Sequence, residues 1–591
     1  MTPRAKAQKS FGFFILFVES IMKKQTKYIF VVGGVISGVG KGITSSSLGL
    51  ILKNRGLKLT AIKIDPYINI DAGTMNPTEH GEVFVLKDGD ETDQDMGNYE
   101  RFLDINLTRI NYITTGRVYK TVIEKERNLE YKGKCVEVVP HIPLEVIKRI
   151  KEAGKNAKAD IVIIEIGGTI GEYQNMLFLE AARMMKLSSP KDVVFVMVSY
   201  LPTPQKVGEM KTKPTQHAVR TLNASGIQPD ILIARGDVNL DKKRKEKISL
   251  FCNMPVDRVI SAPDVDSIYD IPINFEKEKL SDKLCEILNV VSKKPNVKAW
   301  KKWKKFAKYA HNGQKTIKIA MVGKYFETGD FILSDSYLSI IEAIKYSSYA
   351  QNKKPILAWL NSSDYEKPAQ PNGHSGGNPT KLKELKKYDG IIIPGGFGSR
   401  GVEGNLNVVK FARENKIPYL GLCYGMQMMV IEYARNVLGL KDANTKEVNP
   451  NSKNLVIDVM ESQKEILKNN FYGGSMRLGE YKAILRDNTI AKGAYAQKEI
   501  IERHRHRYEV NPAFIGDLEA KGLIFSGRSP DGHLMEIAEL PKNRHPFFLG
   551  TQFHPEFLAR PLSPHPLFTA FIKACCAHLK LNAKEGIKKK K

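Results

Sequence analysis

The sequence predicts two doubly wound α/β domains in tandem. Short apolar runs alternate with amphipathic stretches in both halves, the pattern of parallel strands covered by helices. Two of those runs lead straight into glycine turns, near Gly33–Gly42 and Pro394–Gly398. The length, 591 residues, exceeds what one hydrophobic core serves. The chain is expected to divide into an N-terminal extension (1–22), a first domain (23–292), a linker (293–314), a second domain (315–580) and a basic tail (581–591).

The net charge of +27 points to anionic partners. Its lysines are spread over surfaces and tails, which favours nucleotide phosphates over nucleic acid or a membrane surface. Six cysteines without paired spacing argue against a disulfide framework or a zinc ribbon and fit a reducing cytoplasm. No apolar run reaches membrane-spanning length. Phe11–Val18 is apolar behind a basic start but is short and has no clear cleavage site, so it reads as an extension, with Met22 an alternative first residue.

The first domain opens on Tyr28–Val32, a buried strand by its apolar run, followed by a loop with Gly33, Gly34, Gly38, Gly40 and Gly42 and a helix over Ile43–Asn54. Strand, glycine loop, lysine and helix together form a polyphosphate cradle. Glycines turn N–H groups inward, the helix N-terminus adds partial positive charge, and Lys41 reaches the outer phosphates. The spacing is a variant: five residues separate Gly34 from Gly40, and Gly42 stands where Ser or Thr is usual.

A second strand, Lys58–Asp65, runs into a Pro/Gly/Asn loop, and the acidic run Asp88–Asp95 follows. A strand over Ala159–Ile166 carries Glu165 near its end, where ligands of open α/β sheets sit; this is a candidate Mg²⁺ ligand. Strands over Asp192–Leu201 and Pro229–Ala234 flank Gly208–His217, where Lys211 and Lys213 on an extended segment project to one side as a phosphate clamp. The spacing of Trp300, Trp303 and Ala307 among lysines makes a basic amphipathic linker helix, packed by its tryptophans.

The second domain starts at Thr316–Gly323. Strand, Gly421-x-Cys423-x-Gly425 and helix is the nucleophile-elbow pattern with sulfur in place of oxygen. The helix N-terminus favours the thiolate. The N–H of Tyr424 and one from Gly395–Gly396 can receive an oxyanion. Downstream, His554 and Glu556 at i, i+2 on a strand end point to one side, so the carboxylate can orient an imidazole that serves Cys423. Arg503-His-Arg-His-Arg507, with few aromatics interleaved, suits recognition of a small anion such as a substrate carboxylate. Residues 361–380 read as a polar surface loop or disordered insertion.

Several motifs together resemble the CTP synthase family from about Lys23 to Leu579: Gly-Gly-Val-Ile-Ser-Gly-Val-Gly-Lys-Gly, Lys63-Ile-Asp-Pro-Tyr-Ile-Asn, Glu165-Ile-Gly-Gly-Thr-Ile-Gly, Lys211-Thr-Lys-Pro-Thr-Gln, Pro394-Gly-Gly-Phe-Gly and Glu502-Arg-His-Arg-His-Arg-Tyr-Glu-Val-Asn. The resemblance implies a phosphate-loop, dethiobiotin-synthetase-like amidoligase domain and a class I glutamine amidotransferase domain. It implies ATP-dependent amination of UTP to CTP with ammonia released from L-glutamine through a Cys423 thioester. By match to family positions, Ser37, Gly38, Val39, Gly40, Lys41, Gly42, Ile43 and Lys63 bind ATP or UTP. So do Lys211, Thr212, Lys213, Pro214, Thr215, Gln216, Lys247, Asp264 and Val265. Asp95 and Glu165 match Mg²⁺ ligands, and His80 matches the ammonia path. Gly396, Tyr424, Gly425, Met426, Gln427, Glu447 and Arg507 match glutamine positions; Ser37, Glu172, Tyr173 and Gln174 match CTP contacts. The resemblance further implies a cytoplasmic homotetramer, activated by GTP and inhibited by CTP, with no nucleic-acid or membrane partner.

One departure is Glu172-Tyr173-Gln174 where the family usually has Asp-Ile-Glu, which weakens the expectation of feedback inhibition by CTP. Two other readings compete with this one. A different glutamine-dependent amidoligase, of the cobyrinic acid diamide synthase type, is opposed by the Lys211–Gln216 segment. A basic nucleic-acid-binding or filament-forming scaffold is opposed by the intact Cys423, His554, Glu556, Lys41 and Glu165.

Overall fold

The computed structural model describes residues 25–206, 208–311, 315–324, 327–328, 331–332, 334–366, 378–460, 463 and 473–588. The extension 1–22, the middle of the 361–380 segment and the last three lysines lie outside the described residues. Packing separates two compact units: one holds the chain up to Ile68 together with Ile113–Val297, the other Asn69–Tyr112 and the chain from Lys298 onward. The loop carrying His80 and the acidic run therefore packs with the second unit.

The first unit is built on a seven-stranded sheet. Its strands are β1 (Lys27–Gly34), β2 (Leu59–Asp65), β3 (Tyr112–Thr114), β4 (Ile161–Ile166), β5 (Val193–Tyr200), β6 (Ile231–Gly236) and β7 (Val259–Pro263). They lie in the order β3-β2-β4-β1-β5-β6-β7. The β1–β4, β1–β5, β2–β4, β5–β6 and β6–β7 pairs are all parallel. β-Branched runs such as Ile161-Val-Ile-Ile164 are wholly buried, as strands covered on both faces require. Helix α1 (Lys41–Asn54) leaves the end of β1. The chain moves outward in opposite directions from β1, so the carboxyl ends of β1, β2 and β4 open a crevice.

The second unit carries a mixed nine-stranded sheet. Its strands are β8 (Thr316–Gly323), β9 (Lys354–Asn361), β10 (Gly390–Ile393), β11 (Tyr419–Leu422), β12 (Arg477–Leu485), β13 (Glu499–His506), β14 (Ile524–Arg528), β15 (Met535–Glu539) and β16 (Phe548–Thr551). The order is β9-β8-β10-β11-β16-β15-β14-β12-β13. The pairs from β9 to β16 are parallel, and those from β16 to β13 antiparallel. This is the doubly wound arrangement expected, extended by an antiparallel flank.

The linker helix exists, as Val297–His311, and is held by apolar packing. Trp303, Phe306 and Ala307 are buried, and Trp303 meets Phe102 at 5.2 Å. Each large ring buried this way stabilises by roughly 2–3 kcal/mol. Two local expectations fail. Lys213 does not sit on an extended segment: it begins helix α2 (Lys213–Ala224), because Pro214 suits the first helical turn. His554 and Glu556 lie past the end of β16, entering a 3₁₀ turn over Pro555–Leu558.

Candidate functional site

In the first unit the glycine loop follows β1. Val35, Gly38 and Gly40 all have positive φ, and Ser37 and Gly38 are exposed while Val39 is buried. Lys41 opens α1, is itself buried, and donates from Nζ to the Gly168 carbonyl at 2.8 Å. A Cβ on Gly33 would stand 2.8 Å from the Lys41 side chain, so any larger residue there would displace that lysine. Lys63, on β2, donates to Glu165 Oε1 on β4 at 3.0 Å and lies 3.7 Å from Asp65 Oδ1. Parallel pairing places Lys63 directly beside Glu165. A buried ammonium among two carboxylates beside a phosphate loop offers both charges a polyphosphate–metal ligand requires.

The remaining predicted residues are spread over separate elements. Gly42 and Ile43 lie in the first turn of α1. Lys211 pairs with Glu209, and Thr212 precedes Lys213, Pro214, Thr215 and Gln216 in α2. Lys247 lies in the helix Lys242–Cys252. Asp264 pairs with Arg235, whose Nη1 also donates to the Val39 carbonyl in the glycine loop; Val265 follows Asp264. Glu172 accepts from the Thr169 N–H and from Gln174 Nε2, while Tyr173 is 89% exposed. Asp95 belongs to the second unit, where it opens the helix Asp95–Leu103. Among the described residues, no cluster of three or more His, Cys, Asp or Glu side chains could hold a metal ion.

The second unit contains the cysteine site. Cys423 sits between β11 and helix α3 (Tyr424–Asn436) at φ 48°, ψ −96°, a left-hand conformation that costs a side-chain-bearing residue roughly 1–3 kcal/mol. Three contacts enforce it. The Cys423 N–H donates to the Thr551 carbonyl at 2.6 Å, its carbonyl accepts from Met426 and Gln427, and Gly425 presses on β10 so closely that a Cβ would lie 2.2 Å from the Ile393 carbonyl oxygen. The strain lifts the sulfur toward His554.

His554 Nδ1 bonds Glu556 Oε1 at 2.6 Å. Burial works against the imidazolium, but the charges of Glu556 and then Cys423 outweigh it and raise the pKa to about 10. The resting state at neutral pH is thus an imidazolium between a carboxylate and the sulfur. Nε2 has no partner at strict hydrogen-bond geometry, although Cys423 is near enough to hold its proton. Such contacts are loose in free enzymes and tighten around substrate. Gln552 donates to Cys423 Sγ at 3.6 Å.

The glutamine-matched positions gather here in part. Gly396 and Tyr424 line one recess with Gly395, Lys324 and Tyr337. Gly425, Met426 and Gln427 form the first turn of α3, and Glu447 Oε1 accepts the Gly398 N–H at 2.8 Å. Arg507 donates to Gln463. The other two arginines of that motif bind carboxylates of the protein. Arg503, wholly buried, bonds Glu100, as Arg560 does; Arg505 bonds Glu91 at 2.8 Å. Burial lowers both His504 and His506 well below the ordinary histidine value, helped by Arg477. The motif is therefore mostly scaffold: the Arg505 carbonyl faces Cys423 Sγ at 3.8 Å, and the Arg503 carbonyl accepts the His554 N–H.

Lys324, Gln552, Glu91 and Glu100 were missed by the sequence reading. Lys324 alone had a signal, a lysine directly after an apolar strand.

A strained cysteine on a strand–helix elbow, backed by a His–Glu pair, defines a class I glutamine amidotransferase; the glycine loop with Lys41 and Lys63 adds a nucleotide-dependent unit. Comparison with known families agrees in both halves: residues 27–290 match the CTP synthase N-terminus and residues 332–574 match class-I glutamine amidotransferase. The chain is 50% identical over 551 residues to the CTP synthase of Pyrococcus furiosus, covering 93% of this chain and 98% of that one. It is 49% identical over 552 residues to that of Sulfolobus acidocaldarius, covering 93% and 100%. The chain belongs to the CTP synthase family, the glutamine-hydrolysing carbon–nitrogen ligases.

Proposed function

We propose that this chain converts UTP to CTP by the following division of labour. In the first unit ATP and UTP bind over the Ser37–Ile43 loop, with Lys41 and Lys63 at the phosphoryl group in transfer. The γ-phosphoryl of ATP passes to O4 of UTP, ammonia adds at C4, and the C4–O bond breaks to release phosphate. Lys211–Gln216 and Lys247 hold UTP, and Asp264–Val265 hold the adenine. Chemistry of this kind rests on positioning and charge neutralisation, which the buried lysines supply.

Glu165 is the proposed Mg²⁺ ligand of the first unit; Asp95, in the second unit, is kept as a ligand only by its match to the family position. The hard carboxylate oxygens of Glu165 and of Asp65 beside it, with Lys63 between them, suit such an ion. When bound, Mg²⁺ neutralises phosphate charge.

In the second unit Cys423 attacks the glutamine amide carbon. The developing oxyanion points to the N–H groups of Tyr424 and Gly396. His554 gives its proton to the departing ammonia, then takes one from the water that cleaves the thioester, with Glu556 keeping the ring oriented. Glu447 and Arg507 contact the substrate's α-amino and α-carboxylate groups. His80 lines the ammonia path, GTP activates, CTP competes through Ser37 and Glu172–Gln174, and the working form is a cytoplasmic homotetramer. Along the chain the amidoligase domain is assigned to 23–292 and the glutaminase domain to 315–580, although Asn69–Tyr112 packs with the second unit. No helix of the described residues is long and apolar enough to cross a membrane.

The observation that carries the proposal is the strained Cys423 beside the 2.6 Å His554–Glu556 pair. The test is CTP formation from UTP, ATP and Mg²⁺, with glutamine or with ammonia. The unmodified chain is expected to use both, and Cys423→Ala only ammonia. No CTP from ammonia in the unmodified chain refutes the synthase reading; glutamine use by the variant refutes the nucleophile.

A further inference from the structure

Directly after β8, Lys324 is buried, and its ammonium meets three oxygens. Nζ donates to the Gly398 carbonyl at 2.6 Å, to the Tyr424 hydroxyl at 2.7 Å and to the Phe397 carbonyl at 3.3 Å. It also stands 4.3 Å from the centre of the Tyr424 ring. The Tyr424 hydroxyl in turn donates to the Gly398 carbonyl at 3.2 Å. An ammonium has three donors and no acceptor, so these three oxygens match its capacity. A neutral amine has two donors and a lone pair, and one of the oxygens would then face that lone pair.

The two peptides tied together are not arbitrary. The Phe397–Gly398 turn directly continues Gly395–Gly396, and Tyr424 directly follows Cys423. These are the two segments assigned to the oxyanion above. The turn is also gripped from its other side, since the Gly398 N–H donates to Glu447 and the Arg400 guanidinium donates to the Lys324 carbonyl at 2.5 Å.

We propose that Lys324 is a positioning residue of the glutaminase, whose ammonium ties the Phe397–Gly398 turn to Tyr424 and so sets the spacing of the two N–H groups that receive the oxyanion. This rests on the reading of Cys423 as nucleophile. Oxyanion donors act only when held close to their final place, so a turn free to drift would lose rate at the chemical step more than binding.

The tie depends on charge. The groups that act on Lys324 are Glu447, Arg400 and Glu366, with the Tyr424 hydroxyl in direct contact. Burial lowers its pKa and Arg400 adds to that, while Glu447 and Glu366 oppose them, leaving a value of about 8. Above that pH the amine becomes neutral, keeps only two N–H donors for the three oxygens, and the tie loosens. His554 titrates at about 10 against about 8 for Lys324, and Lys324→Arg, which leaves His554 in place, separates the two effects.

The experiment compares Lys324→Met and Lys324→Arg with the unmodified full-length enzyme, using glutamine or ammonia as nitrogen source from pH 7 to 9.5. For Lys324→Met, glutamine-dependent kcat is expected to fall ten- to a hundredfold, with KM for glutamine changed less than threefold and ammonia-dependent synthesis unchanged. The unmodified enzyme is expected to lose glutamine-dependent kcat as pH passes about 8, while the ammonia-dependent rate, corrected to constant free NH₃, stays level. In Lys324→Arg that limb moves up by at least one pH unit, because guanidinium stays charged. Glutamine-dependent kcat within twofold in Lys324→Met, or an unmoved limb in Lys324→Arg, overturns the proposal. If Lys324→Met loses ammonia-dependent synthesis too, Lys324→Arg alone decides. The Cys423→Ala control separates the two failures: if it still uses glutamine, the nucleophile assignment fails, whatever Lys324 does.

Discussion

Replacing Glu556 with glutamine keeps the shape of the His554 partner and removes its charge. The size of the effect follows from the imidazolium. His554 is raised from 6.5 to about 10 although burial opposes its charged form. That net displacement corresponds to roughly 5 kcal/mol, of which Glu556 is the largest favourable source. Without the charge, only Cys423 holds the proton, and the pKa is expected to return toward the ordinary 6.5. At about 1.4 kcal/mol per factor of ten, the loss sets a fall in glutamine-dependent kcat of roughly 10³–10⁴-fold. That range fits what a triad carboxylate contributes elsewhere. The assay is CTP formation with glutamine against ammonia, where only the glutamine rate is expected to drop.

A second readout is stability against pH. The folded chain keeps the His554 proton to about 10, and the unfolded chain only to about 6.5. Its stabilising contribution is therefore complete below pH 6.5 and is lost as pH rises toward 10. Lys324 acts in the opposite sense above pH 8, because its folded pKa is depressed. It is present in both proteins, so the difference between unmodified chain and Glu556→Gln isolates His554. Less than a tenfold loss of glutamine-dependent kcat, or an unchanged slope between pH 7 and 10, would refute the reasoning.

Two other perturbations test separate parts of the second unit. A Cβ at Gly395 would stand 2.8 Å from His554 Cε1, so Gly395→Ala is expected to cut glutamine-dependent synthesis at least a hundredfold while thermal unfolding stays nearly unchanged. Glu100→Ala leaves Arg503 and Arg560 buried without their shared carboxylate. It is expected to cost roughly 3–5 kcal/mol of stability, read by urea unfolding, and Glu100→Gln less.

Much of the candidate site was legible because its signals are local. The Cys423 elbow needs bare positions on either side and a helix directly after it, and all of these are neighbours in the chain. The His554–Glu556 pair is likewise two residues apart, and its 2.6 Å contact needed no long-range packing to be foreseen. The strand–helix alternation showed both sheets. What misled was local too. Lys213 read as extended although Pro214 marks a helix start, and the five-residue Arg-His motif read as an anion site when two of its arginines serve the interior.

The sequence by itself determined the two doubly wound sheets, the glycine loop that leads into Lys41, and the strand–helix elbow of Cys423 with the His554–Glu556 pair. Each rests on residue types that restrict the backbone or carry charge within a few positions. Only the tertiary structure decided that Asn69–Tyr112 packs with the second unit. There Glu91 and Glu100 neutralise Arg505 and Arg503, across more than 400 residues of chain. It also decided that Lys324 reaches Phe397, Gly398 and Tyr424. A buried charge is tolerated only where partners converge from distant strands, and no spacing in the chain records that convergence.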